Sequence, residues 1–117
     1  MSGMGNVVKI KRSTPLAGVL RIVDAQKHIN KVAEDSANII LTKHAKDRMY
    51  ERDFSVSEVY QILRTGIIRE KPQKEKKGGW SYQVEAIGFC DNRDAAVITV
   101  IMRENELVIK TVMWLDL

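Results

Sequence analysis

A single cysteine, Cys90, stands in the 117 residues, which excludes an internal disulfide and any cysteine cluster for zinc. Inside an expected strand it reads as a small apolar filler, the alternative being a reactive thiol. Histidine is as scarce: His28 and His44 are the only two, and no carboxylate spacing converges on either to make a metal site. No apolar run approaches the roughly 18 residues of a membrane span and no signal peptide opens the chain, so a cytoplasmic protein is expected. Glycine-rich phosphate loops, Walker patterns and the nucleophile elbow of Ser-His-Asp hydrolases are missing as well. These gaps remove the enzyme classes that carry a local signature, and no cofactor is called for.

What is present is an ordinary globular composition, 44% hydrophobic and 29% charged, in a length that suits one domain. The formal net charge is +4, compatible with an acidic partner such as nucleic acid without requiring one. That charge is unevenly placed. Lys plus Arg outnumber Asp plus Glu by 10 to 6 over residues 42–77, and are outnumbered 3 to 6 over residues 78–117. The opening MSGMGN reads as the start of a loose leader, residues 1–13, with a second candidate start at Met4.

Helices come first. Thr14-Pro15 offers an N-cap and a first-turn proline, and Leu16, Val19, Leu20, Ile22, Val23, Ile29 and Val32 follow at helical spacing, predicting a helix over 15–34. Ser36 and Asn38 mark its exit. Thr42 can cap a second helix over 43–52 with Ala45 and Met49 as its core contact. The third carries the strongest local signal: a Ser55/Glu58 capping box, a Phe54/Val59 staple, apolar Val59, Ile62 and Leu63, and Gly66 where a left-handed C-terminal residue is expected.

After Gly66 the period changes to two. GIIREK can form a short strand ending at Pro72, KKGG a hairpin turn, and WSYQVEAIGFC a half-buried strand. DNRD turns, AAVITVIMR is apolar on both faces and so central, and ENE turns into LVIKTVMWL. The expected architecture is α+β: three N-terminal helices, residues 14–66, packed on a three- to four-stranded antiparallel sheet, residues 67–117, as one domain.

The stretch TKHAKDRMYERDFS places His44, Arg48 and Arg52 four residues apart. On a helix such positions advance about 40° per step and form one tilted stripe. The stripe borders the Ala45/Met49 core face instead of opposing it. This arrangement suits RNA phosphodiester cleavage, in which a base takes the 2′-hydroxyl proton and cations stabilise the phosphorane. An imidazole can give and take a proton, which makes His44 the candidate for proton transfer, and Arg48 and Arg52 have planar forks for phosphate. A structural reading stands beside it, with Arg48 paired to Glu51 at i,i+3 and His44 satisfying local groups.

KPQKEKK, with Lys71 and Lys74, is either a solvated hairpin or a flexible clamp on a nucleic-acid backbone. Lys110 interrupts an apolar strand on the face expected to carry Val108, Val112 and Trp114, so it is either paired or at a cleft. Trp80, Tyr82 and Trp114 are core residues or platforms for bases. His28 sits near the polar edge of the first helix and reads as a surface histidine.

The run TKHAKDRMYERDFS, followed by SEVYQILRTGIIRE and a tail ending VIKTVMWLD, resembles domain-of-unknown-function family 4258 over about 40–117. That family looks like a branch of the RelE/ParE-type toxin superfamily, and TPLAGVLRIVDAQKHINKV is similar to the N-terminal helix of the motility-quorum-sensing-type toxins. The resemblance implies helices followed by a curved antiparallel sheet, and an endonuclease acting on free or ribosome-bound mRNA beside a neutralising antitoxin. Only His44, Arg48, Glu51 and Arg52 match the family's own motif.

The expected function is therefore a bacterial or phage toxin that cleaves RNA without metal through a 2′,3′-cyclic phosphate. His44 would transfer the proton, Arg48 and Arg52 would hold the phosphate, and Arg69, Lys71, Lys74, Tyr82, Arg103 and Lys110 would bind RNA. The rivals are a non-catalytic module of the same fold binding nucleic acid or protein, and a protein-interaction domain in which the stripe is purely structural.

Overall fold

The computed structural model describes residues 19–115; the expected leader 1–13 and the Thr14-Pro15 helix start lie outside them. The first helix, α1, spans Ile22–Val32 and buries Ala25, Ile29 and Val32. It begins later than the apolar spacing predicts, and Val19 and Val23 are exposed. The reason is a long-range competitor. The Tyr82 hydroxyl accepts from the Leu20 N–H at 2.9 Å and donates to the Leu20 carbonyl at 3.2 Å, so that peptide is tied to the sheet. The first helical bond runs from Ala25 N–H to Arg21 O.

Thr42 caps α2 (Lys43–Glu51), accepting from Ala45 N–H at 3.0 Å, and Ala45 and Met49 are buried as their spacing predicts. α3 (Val56–Thr65) starts on the expected capping box: Ser55 Oγ accepts from Glu58 N–H at 3.1 Å, and Glu58 Oε1 accepts from Ser55 N–H at 2.8 Å. Gly66 differs from expectation. It is extended, with φ −74° and ψ 167°, not left-handed. Its small size serves a close approach, because a Cβ there would lie 2.5 Å from Ile62 O and 2.6 Å from Val84 Cγ1.

Six strands among the described residues form one sheet: β1 (Ile39–Leu41), β2 (Ile67–Ile68), β3 (Gln73–Lys74), β4 (Trp80–Cys90), β5 (Arg93–Arg103) and β6 (Glu106–Trp114). Their order is β1-β6-β5-β4-β2, with β3 also on β4. The expectation of a three- to four-stranded antiparallel sheet is corrected on two counts. β1 lies inside the segment read as helical and pairs in parallel with β6, Ile39 opposite Leu107 and Leu41 opposite Ile109. β3 is two exposed polar residues that carry no apolar period. The central place of β5 and the antiparallel hairpins agree with the sequence. Asp91 and Asn92, both at positive φ, make the two-residue turn between β4 and β5.

All three helices pack on one face. Tyr82, Val84, Ala95, Val97, Ile101, Leu107, Ile109 and Val112 meet Ala25, Ile29, Ala45, Met49, Val59, Ile62 and Leu63 there. The alternate residues, Ser81, Gln83, Glu85, Ile98 and Thr111, point to the opposite face.

Candidate nucleic-acid interface

The stripe on α2 does not converge on one site. His44 is exposed at the first turn. Arg48 Nη1 donates to Glu51 Oε1 at 2.6 Å, the i,i+3 pairing that the spacing also allowed. Arg52 turns inward, its Nη1 donating to the Val112 carbonyl at 2.6 Å while its own carbonyl accepts from Trp114 Nε1 at 2.8 Å. β1 covers the outer edge of β6 only as far as Ile109, and Arg52 takes up a carbonyl beyond it. Trp114 in turn stacks on Phe54, centroids 4.3 Å apart, so it serves the core. Arg52→Ala should leave the Val112 carbonyl without its partner and cost about 1–3 kcal/mol in denaturant unfolding.

The sheet's open face carries a different arrangement. β2 leaves β4 at Val84 and β3 rejoins it at Ser81, so residues 69–72 arch away from the strand. Under the arch is a cleft of about 760 Å³ that includes Arg69, Lys71, Ser81, Gln83, Lys110 and Thr111 in its wall. Glu85 lies beside it, 2% exposed. Arg69 Nε and Nη2 donate to Glu85 Oε1 at 2.8 and 2.6 Å, and Gln83 Nε2 donates to Oε2 at 3.0 Å.

Lys110 reaches the cleft through a bulge. Ile98 pairs with Thr111 but Thr99 with Ile109, leaving Lys110 as the extra residue. Strict alternation placed Lys110 with Val108, Val112 and Trp114. The bulge corrects this: Val112 and Trp114 sit on the helix side with Ile109, and Lys110 beside Thr111 at the cleft. Its ammonium donates to both Glu75 carboxylate oxygens at 3.0 and 3.1 Å, so it is both paired and at a cleft. That bond holds the Glu75 carboxyl below its ordinary range, with partial burial working against it. A lowered carboxylate adds stability above the unfolded pKa, about 4.3, and loses it as pH falls through the folded value. The melting-temperature gap between wild type and Glu75→Gln should therefore be present at neutral pH and close in acid.

Of the residues expected to bind RNA, Arg69, Lys71 and Lys110 meet at this cleft. Lys74 lines an adjoining hollow with Lys76, Lys77 and Lys110, its ammonium 5.3 Å over the Trp80 ring. Tyr82 belongs to the cleft wall, yet it is 2% exposed in the core and its hydroxyl is held by Leu20, so its ring offers no face to a base. Arg103 is exposed at the far end of β5, outside the cleft. His28 is half-buried with Nε2 enclosed and unpartnered, unlike the surface histidine its spacing predicted. Sequence reasoning missed Glu85, Gln83, Ser81 and Thr111, whose only signal was an alternating polar face. Among the described residues no group of three or more His, Cys, Asp or Glu is placed to hold a metal, and no helix is long and apolar enough to cross a membrane.

The profile of a family described as "Domain of unknown function (DUF4258)" matches residues 41–114. The chain belongs to this family. The DUF4258 match runs from the end of β1 to the end of β6, taking in α2, α3 and every residue of the cleft while leaving out α1. No curated protein and no solved structure matches the chain.

Proposed function

We propose that this DUF4258 protein is a toxin of the RelE/ParE type that binds RNA across the open face of its sheet and cleaves it without a metal, restrained in the cell by a cognate antitoxin. The observation that carries the reading is the convergence of Arg69 and Lys71 from the arch and Lys110 from the β6 bulge on one cleft that continues into the Lys74–Lys77 hollow. Six cations, Arg69, Lys71, Lys74, Lys76, Lys77 and Lys110, line this tract against two carboxylates, Glu70 and Glu75. Such a tract follows a phosphate backbone.

His44 enters through the place of the α2 N-terminus at the edge of β6. The Thr42 hydroxyl donates to the Ile109 carbonyl at 2.7 Å, so the first turn of α2 lies next to the bulge. An RNA strand leaving the cleft past Lys110 meets that turn, where His44 acts on the 2′-hydroxyl and Arg48 exchanges Glu51 for phosphate. The test is cleavage of end-labelled RNA by purified protein in chelator, with a 2′,3′-cyclic phosphate expected on the product. Unchanged cleavage by the His44→Ala, Arg48→Ala double variant would remove both from the chemistry.

A second reading, an RNA-binding module without cleavage, is favoured by one observation: Arg48 and Arg52 are already engaged and His44 stands outside the cleft wall. It predicts binding in the same assay with no product.

A further inference from the structure

Glu85 is the only buried charged residue among those described, and cleavage as outlined does not use it. A carboxylate taken out of water needs hydrogen-bond partners, and Arg69 and Gln83 supply three. The contact occupies one side of the guanidinium, through Nε and Nη2. Arginine has five N–H donors, so the end formed by Nη1 and the outer hydrogen of Nη2 is not needed by Glu85. That end belongs to a side chain 59% exposed and facing the cleft. Two parallel N–H donors of this kind match two oxygens of one phosphate.

Resting on the reading that the cleft takes RNA, we propose that Glu85 and Gln83 are positioning residues that hold the Arg69 guanidinium as a preformed fork for a backbone phosphodiester. Glu85 is suited to this because it sits on β4, paired with Ala96 of the central strand, so the carboxylate is as fixed as the sheet. Arg69, just past a two-residue strand, has no such support of its own. Fixing it in advance removes rotamer entropy that binding would otherwise cost. Lys71, exposed on the arch, contributes charge without direction.

Plain electrostatics predicts the opposite sign. A negative charge beneath a phosphate site weakens the local field, so neutralising Glu85 should tighten RNA binding if charge alone mattered. Positioning predicts weaker binding. The experiment is fluorescence anisotropy with a short labelled single-stranded oligoribonucleotide in low salt, using the full-length wild type, Arg69→Lys and Glu85→Gln. Both variants should lose about tenfold in affinity, Arg69→Lys because it keeps the charge without the fork. Tighter binding by Glu85→Gln, or unchanged binding by Arg69→Lys, overturns the proposal. Should Glu85→Gln fail to fold by its melting curve, Arg69→Lys decides alone. If wild type binds no RNA, the functional reading itself fails and the fork loses its ligand, an outcome distinct from either variant result.

Discussion

Gly66→Ala should destabilise the protein by about 3 kcal/mol, with the fold at risk, although alanine is allowed at this backbone geometry. With φ −74° and ψ 167° the residue is extended, and at an open site the substitution would stabilise by about 0.4–1 kcal/mol through the unfolded chain. Space reverses the sign. The new Cβ would lie 2.5 Å from Ile62 O, 2.6 Å from Val84 Cγ1 and 2.9 Å from Glu85 O, and two of those three atoms are backbone. Relief would have to separate α3 from β4. It would also disturb Asn30, whose side-chain amide donates to Leu63 O at 2.7 Å and Gly66 O at 3.4 Å. Gly88 is the control. It has φ +61° and nothing within 4 Å of an added Cβ, so Gly88→Ala costs only the left-handed penalty of about 1–2 kcal/mol. Urea denaturation of both variants separates the two causes, and a Gly66→Ala protein as stable as wild type would refute the close-approach account.

The same residue shows where sequence stops being informative. That α3 ends at Gly66 is legible, because the capping box, staple and apolar spacing are all local. Why the residue is glycine is not, since the crowding atoms on Val84 and Glu85 come from β4. α1 follows suit: helical spacing extends back to Leu16, but the Tyr82 hydroxyl, 62 residues away from Leu20, sets where the helix starts. β1 and β3 are too short to establish a period. For the site, composition shows a basic middle that holds Arg69 and Lys71, and Lys110 stands out by interrupting an apolar strand. Alternation then places Lys110 on the wrong face, because one extra residue in β6 breaks the period without any sign in LVIKTVMW. Glu85 is hidden for another reason. A glutamate on the polar side of a half-buried strand looks solvated until the arch and Arg69 are seen to cover it.

Cleft charge should matter far more to RNA than charge elsewhere. In the triple variant Arg69→Ala, Lys71→Ala, Lys110→Ala, the dependence of log affinity on log salt should become shallower by about 2, at roughly 0.7 per phosphate contact on a single strand. The same contacts imply about a 100-fold loss of affinity near 0.1 M salt. Lys110 should contribute more than its own contact, because removing it leaves the Glu75 carboxylate facing the phosphate. The matched control is Arg21→Ala, Lys27→Ala, Lys31→Ala on or beside α1, the helix side of the sheet, where all three residues are exposed. Both triples take the formal net charge from +4 to +1, so a response to overall charge would be identical in the two. Only a located backbone site makes the cleft variant lose its salt slope while the α1 variant keeps it. Equal losses would mean that RNA, if bound at all, is held by the protein's general field and not by the cleft.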